Sequence, residues 1–175
     1  MSRSLVVFES MYGNTEAVAR AIAEGITAHV PVEVVEVGAA PAEPGDDVAL
    51  LVVGGPTHAF GMTRPATRQD AAAKAGRATV SQGPGVREWL ESLRDRPGTV
   101  GAAFDTRVVR PRVPGSAARA IARRLHRRGL TVGDAPHTFW VAGSEGPLLD
   151  GELERARAWG AALAAEVAVP AGGAP

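Results

Sequence analysis

The chain has 175 residues, equal numbers of basic and acidic side chains (19 each), a formal net charge of zero, 45% apolar and 22% charged residues, and no cysteine. This is ordinary globular composition, long enough for a real core in one domain over 1–169 followed by a flexible tail over 170–175. Balanced charge gives no global steering towards nucleic acid or an acidic partner, and the missing cysteines exclude disulfides, thiolate catalysis and cysteine-held metal sites.

The opening Met1-Ser2-Arg3-Ser4 leads straight into Leu5-Val6-Val7-Phe8, an apolar run too short for a signal core or a membrane span, so a cytoplasmic location is expected. Four consecutive apolar residues read as a strand covered on both faces. After Ser10-Met11-Tyr12-Gly13-Asn14-Thr15 the pattern switches to a helical period, with Val18, Ala21, Ile22 and Ile26 on one face of a helix over about 16–28. A strand, a tight turn and a helix start are thereby predicted. The turn carries hydroxyls, one glycine and neither Lys nor Arg. It offers backbone N–H groups, the Ser10 and Thr15 hydroxyls and the positive end of a helix to an anion, for which phosphate is the natural choice.

Val32 to Val37 partly alternates, as an edge strand does, and Gly38 to Asp47 reads as a loop or a poor short helix. Val48 to Val53 is the most hydrophobic segment and is expected to be a central parallel strand. It exits through Gly54-Gly55-Pro56-Thr57-His58-Ala59-Phe60-Gly61-Met62. In this second loop Pro56 stiffens the exit, while Thr57, His58, Phe60 and Met62 provide a hydrogen bond, an aromatic wall and a soft apolar contact for a flat ligand. The competing reading is a strand-end turn whose Phe60 folds into the core. His58 has no second ligand at metal spacing, so no metal is expected.

Residues 64–82 are polar and weakly patterned, with a short helical turn over 67–75 and two readings: a lid beside the second loop, or a tolerated surface loop. Val86, Trp89, Leu90 and Leu93 mark a helix, and 99–104 the next strand, which delivers Asp105-Thr106-Arg107 to the sheet edge of the first two loops. Eight arginines then lie between Arg107 and Arg128, against which Asp105 is the sole carboxylate from 105 to 128. Val113, Ala117, Ile121 and Leu125 give the buried stripe of a helix, leaving Arg119, Arg123 and Arg127 outside. A solvated face is the first reading of these arginines, and docking of an acidic redox partner the second. Nucleic acid is not expected, since no recognition motif or interleaved aromatics accompany the patch. Residues 131–133 and 138–142 flank a small excursion at 134–137 that interrupts or precedes the last strand, and a helix follows with the stripe Leu149, Leu153, Ala156, Gly160, Leu163 and Val167, on whose border Trp159 reads as core.

Strand–helix alternation implies a three-layer α/β/α sandwich. The first turn lacks both Gly-x-Gly-x-x-Gly and Gly-Lys-Ser/Thr, which removes a dinucleotide fingerprint and a P-loop. Ser10 to Glu16, followed by Val18-Ala19-Arg20-Ala21-Ile22, resembles the phosphate-binding signature of the flavodoxin-like proteins over a span of roughly residues 4–168. The resemblance implies a five-stranded parallel sheet of order 2-1-3-4-5 and FMN bound across three strand-end loops. By position, Ser10, Tyr12, Asn14 and Thr15 would hold the phosphate, with Met11 and Gly13 supplying backbone groups. Pro56, Thr57, His58, Ala59, Phe60 and Gly61 would flank one side of the flavin ring, and Asp105, Thr106 and Arg107 the other. The third loop lacks the aromatic that electron-carrier flavodoxins usually stack on the ring, which leaves Tyr12, Phe60 or Trp89 to shield it, and the chain is not acidic as those carriers are.

Three functions follow from the resemblance: FMN-dependent electron transfer first; an NAD(P)H:quinone oxidoreductase second, suggested by Gly54-Gly55-Pro56-Thr57 and the nearby Phe-Gly; and a binding or regulatory module that has lost FMN third. The partner would be a redox protein or a small quinone, and the chain a monomer or homodimer. No residue is assigned as a catalytic acid or base, His58 and Asp105 being the candidates for delivering a proton to a reduced quinone.

Overall fold

Residues 3–8 form β1, 32–36 form β2, 48–56 form β3, 100–108 form β4 and 137–141 form β5, all pairing in parallel in the order β2-β1-β3-β4-β5. These come from a computed structural model that describes residues 1–133 and 135–168. Asp134 of the expected excursion and the tail expected over 170–175 lie outside the described residues. Among the described residues five α-helices connect or follow the strands: α1 (Asn14–Thr27), α2 (Pro65–Ala75), α3 (Val86–Ser92), α4 (Ala117–Arg127) and α5 (Glu152–Ala168).

The two-residue period of the strands divides the core in two. Val6, Phe8, Leu50, Val52, Ala102 and Phe104 face α1 and α5, where they meet Val18, Ile22, Ile26, Trp159 and Leu163. Leu5, Val7, Leu51, Val53 and Ala103 face α3 and α4, where they meet Trp89, Leu90, Ile121 and Leu125. The strand runs are apolar on consecutive positions because both sets are covered. Trp159 is core, as its place on the stripe implies, with its ring stacked 4.3 Å from that of His137.

Helices α1 and α5 pack backbone against backbone. A Cβ on Gly25 would lie 2.1 Å from the Arg157 carbonyl oxygen, and one on Gly160 would lie 2.1 Å from that of Ile22. Only glycine allows that approach.

Four elements differ from the sequence expectation. The strand predicted over 99–104 continues to Val108, so Asp105, Thr106 and Arg107 are strand residues with alternating directions and not a loop. Pairing with β3 on one side and β5 on the other carries the ladder on through these polar positions. Val113, expected on the stripe of α4, lies before the helix and is exposed, because Ser116 caps α4 by accepting the Arg119 N–H. Leu149 likewise precedes α5 and is partly exposed. The 67–75 turn is a full helix, α2, started by Pro65 and closed by the left-handed Gly76.

Candidate functional site: the cleft at the carboxyl ends of the strands

Strand β1 ends at Phe8, and the chain turns through Ser10–Gly13 into α1. Gly13 sits at φ +98°, a conformation an L side chain rarely adopts, and it provides no side-chain cap to the helix. The Ser10 Oγ accepts the Gly13 N–H at 3.1 Å. The N–H groups of Met11, Tyr12, Asn14 and Thr15 find no protein acceptor among the described residues, leaving them available at the positive end of the helix. The Thr15 and Thr106 hydroxyls lie 2.7 Å apart. One hydrogen bond joins them, so one of the two hydroxyl hydrogens is left to donate elsewhere. The Asn14 amide donates to the Glu145 carbonyl at 3.1 Å, and the Tyr12 hydroxyl to the Ala71 carbonyl at 3.3 Å.

The 64–82 segment is bound to this turn. Val80 N–H donates to the Met11 carbonyl, Ser81 N–H donates to the Ser10 carbonyl at 2.8 Å, and Ser10 N–H donates to the Ser81 hydroxyl at 3.0 Å. The lid reading thereby gains over that of a free surface loop. Behind the turn the Glu9 carboxylate, almost fully buried, accepts the Val86 N–H at 2.7 Å and the Thr63 hydroxyl. Burial pushes its pKa above the ordinary value of 4.5, against the pull of these bonds and of the nearby Arg68. Arg68 in turn pairs with Glu88 at 2.7 Å, so the end of β1, the start of α2 and the start of α3 form one network.

At the end of β3, Thr57 N–H donates to the Thr106 carbonyl, and the Thr57 hydroxyl accepts the Ala117 N–H at 2.9 Å and donates to Asp105 at 2.7 Å. Asp105 is completely buried and also accepts the Ser116 and Thr138 hydroxyls, each at 2.7 Å, and the Ala118 N–H at 3.1 Å. Four donors from β3, β5 and the start of α4 converge on it. It faces α4, opposite in direction to Thr106, and does not line the cleft; it is an unsuitable proton donor to anything bound there.

Beyond Thr57, His58 and Gly61 exchange two backbone hydrogen bonds, at 2.9 and 3.1 Å, and the residues between them have positive φ: +45° at Ala59 and +75° at Phe60. Such a turn ordinarily takes Asn or Gly, so Ala-Phe stores backbone strain at the rim of the cleft. Phe60 is 60% exposed, which overturns the reading that folds it into the core.

These segments enclose a cleft of about 340 Å³ lined by Ser10, Met11, Tyr12, Asn14, Thr15, Pro56, Thr57, His58, Ala59, Thr106 and Arg107 of the residues expected from sequence. Gly13, Phe60, Gly61 and Asp105 are not on its wall. Of the ring-shielding aromatics named from sequence, Tyr12 lines it. Trp89 is in the core with its indole N–H on the Pro41 carbonyl, and is removed from consideration.

Sequence reasoning missed a fourth wall: Thr67, Asp70, Ala71 and Lys74 of α2, joined by Val108, Val141 and Ser144. The signal was present, since 67, 70, 71 and 74 follow the i, i+3, i+4, i+7 spacing of one helix face. Lys74 adds a cation to the cleft wall from outside the first turn, which itself carries neither Lys nor Arg. It also acts on His58, whose pKa lies below the usual imidazole value because of burial and, second, of the Lys74 charge. His58 is therefore neutral at pH 7 and a poor store of a proton. The wall carries two cations, Lys74 and Arg107, against the carboxylate of Asp70.

An open parallel sheet of order 2-1-3-4-5, with a hydroxyl-bearing turn at β1/α1, defines a doubly wound α/β protein with a cleft at the topological switch point, where ligands bind in open α/β sheets. The sequence profile of the family described as Flavodoxin matches residues 6–83, the stretch that contains the first turn, the second loop and α2. Solved structures match over nearly the whole chain. A flavodoxin from the domain Archaea aligns with a TM-score of 0.65 and 23% identity, covering 94% of this chain and 98% of that one. Flavodoxin 1 from Bacillus cereus aligns with a TM-score of 0.67 and 22% identity, covering 93% and 97%. The rubredoxin oxygen:oxidoreductase of Desulfovibrio gigas aligns at 0.62 and 17%, but the match spans 36% of that longer chain. No curated protein matches the sequence significantly. The chain has the flavodoxin-like fold, with the sheet order that the resemblance of its first turn implied, and its amino-terminal stretch is similar to the Flavodoxin family. Among the described residues no helix is long and apolar enough to cross a membrane.

Proposed function

We propose that the cleft binds FMN and that the protein transfers electrons through it. The observation that carries this reading is the Ser10–Thr15 turn, whose unpartnered N–H groups and surplus hydroxyl hydrogen open into a cleft also reached by the ends of β3 and β4. The residues fit the group. Ser10, Asn14, Thr15 and the backbone N–H groups of Met11, Tyr12, Asn14 and Thr15 would hold a phosphate, and the Pro56–Ala59 and Thr106–Val108 segments would flank a flat ring. The cleft falls in the ~300–1,000 Å³ range of small-ligand sites.

Bound FMN supplies one- and two-electron redox chemistry; the chain supplies position and field. The uncapped start of α1 favours a dianion without a competing side-chain charge. Lys74 and Arg107 place positive charge on the wall and so favour a ligand that gains negative charge on reduction. Helix α2, fastened to the turn through Val80, Ser81 and Tyr12, excludes water from one side.

Titration of the purified, flavin-stripped protein with FMN and with riboflavin tests the assignment. Each charge-assisted hydrogen bond to phosphate is worth about 1.5–3 kcal/mol, so FMN is expected to bind at least about tenfold more tightly than riboflavin. Equal affinities would place the phosphate outside the turn. Direct bleaching of the bound flavin by NADPH, without any partner protein, would move the reading from electron carrier to quinone oxidoreductase.

A further inference from the structure

One contiguous surface joins the rim of the cleft to the edge strand of the sheet. Phe60, 60% exposed, tops the strained turn, and the loop before α4 abuts that turn so closely that a Cβ on Gly115 would lie 1.9 Å from the Phe60 carbonyl oxygen. Two residues back, Val113 is 43% exposed, and its carbonyl accepts from the Arg107 guanidinium at 2.7 Å. Arg107 and Arg112 both lie over the Trp140 ring of β5, at 5.6 and 5.9 Å from its centroid. Arg110 stands exposed between them in sequence. Arg119 and Arg123 continue the exposed positive charge along α4.

None of Arg107, Arg110, Arg112, Arg119 and Arg123 has a carboxylate within ion-pair distance among the described residues, whereas Arg124 and Arg128 pair with Glu91 and Asp95. The only carboxylate of the 105–128 segment, Asp105, is buried and consumed by its four donors. A protein of zero net charge thus leaves a set of uncompensated cations beside its cleft, interleaved with two exposed apolar side chains.

We infer that this face, centred on Arg110, Arg112 and Phe60, docks an acidic redox partner protein. The inference deepens the redox reading of the cleft and rests on it. Uncompensated like charges steer an oppositely charged partner and orient it, and the exposed Phe60 and Val113 supply the apolar contacts that a purely electrostatic encounter lacks. Arg107 lines the cleft and belongs to the face, so a partner seated here lies against the site it must exchange electrons with. A single-stranded nucleic acid fits less well. Trp140 is already faced by two guanidinium groups, which leaves Phe60 as the one exposed ring of the face, where single-strand binding uses a succession of aromatics along a groove.

The test follows the amide and indole NMR signals of the labelled protein, with and without added FMN, as three probes are titrated in: an acidic plant-type ferredoxin, the basic cytochrome c and a single-stranded oligonucleotide. The ferredoxin is expected to bind, to perturb residues 107–115 and the Trp140 indole, and to weaken at least about tenfold when ionic strength is raised several-fold. The double variant Arg110→Glu/Arg112→Glu is expected to weaken it at least about tenfold, while Arg94→Glu, a charge change at the far end of α3, leaves it unchanged. Absent ferredoxin binding, equal binding of cytochrome c, tighter binding of the oligonucleotide, or an unaffected double variant would each overturn the inference. These signals need no flavin. Failure of FMN to bind while the ferredoxin still docks would therefore fault the redox reading and not the surface.

Discussion

Asp105 shows how a residue read for its chemistry can be consumed by the fold. Thr57, Ser116, Thr138 and the Ala118 N–H all donate to it, so it joins β3, β4, β5 and α4 at the end of the sheet nearest the cleft. Truncation strands these donors in a buried place. Asp105→Ala is expected to lower stability by about 3 kcal/mol or more, read as a fall in the urea midpoint at unchanged slope. Glu9 is the second such residue. Its folded pKa is raised above 4.5 by burial, so the folded protein holds this proton more tightly than the unfolded chain. The stability it contributes is present below pH 4.5 and is lost as pH rises from there through the raised folded value. Stability measured against Glu9→Gln should therefore decline for the wild type across that window and run parallel above it; a difference independent of pH would show that the carboxyl titrates normally. Neither role was legible from sequence. Asp105 and Glu9 occupy strand-end positions where a carboxylate reads equally as ligand or as hub, and their donors come from distant segments.

Among the elements, those built on apolar periodicity were legible. The runs 5–8 and 48–53 and the stripe Val18, Ala21, Ile22 and Ile26 appear in the structure as drawn, because burial on both faces or on one leaves a mark on every turn. Elements whose order comes from partners left less. β4 runs on through Asp105-Thr106-Arg107 because β3 and β5 flank it. Helix α2 has one buried side chain, Ala71, and is held by Pro65, Gly76 and the bonds of 80–81 to the first turn. Its contribution to the cleft, including Lys74, left only the helical spacing of 67, 70, 71 and 74, with no apolar stripe to mark it. The α1–α5 contact is a sharper case, since Gly25 and Gly160 look like weak points in their helices but are what lets the two backbones meet. Gly160→Ala should drive the helices apart and cost about 1–3 kcal/mol, although alanine is the better helix former. A higher melting temperature in this variant would show that the close approach is not maintained in solution.

At the scale of the whole molecule, zero net charge conceals an uneven distribution. Arg107, Arg110 and Arg112, near the edge strand β5, have no carboxylate partner among the described residues, while others such as Arg3, Arg68 and Arg157 sit in ion pairs. The fold brings the first turn, the end of β3, the end of β4 and α2 to one cleft, and the proposal of a phosphate-bearing flat ligand rests on this convergence. The central claim is that the phosphate of FMN sits at the Ser10–Thr15 turn. Its most direct test is quenching of FMN fluorescence by the wild-type protein and by Thr15→Ala, which removes one of the paired hydroxyls. The account predicts saturable quenching by the wild type and roughly tenfold weaker binding by the variant, whose folding stability falls by about 1–3 kcal/mol because the buried Thr106 hydroxyl loses its partner, so binding is compared where both proteins are fully folded. Absence of quenching by the wild type, or equal affinity in the two proteins, would contradict it.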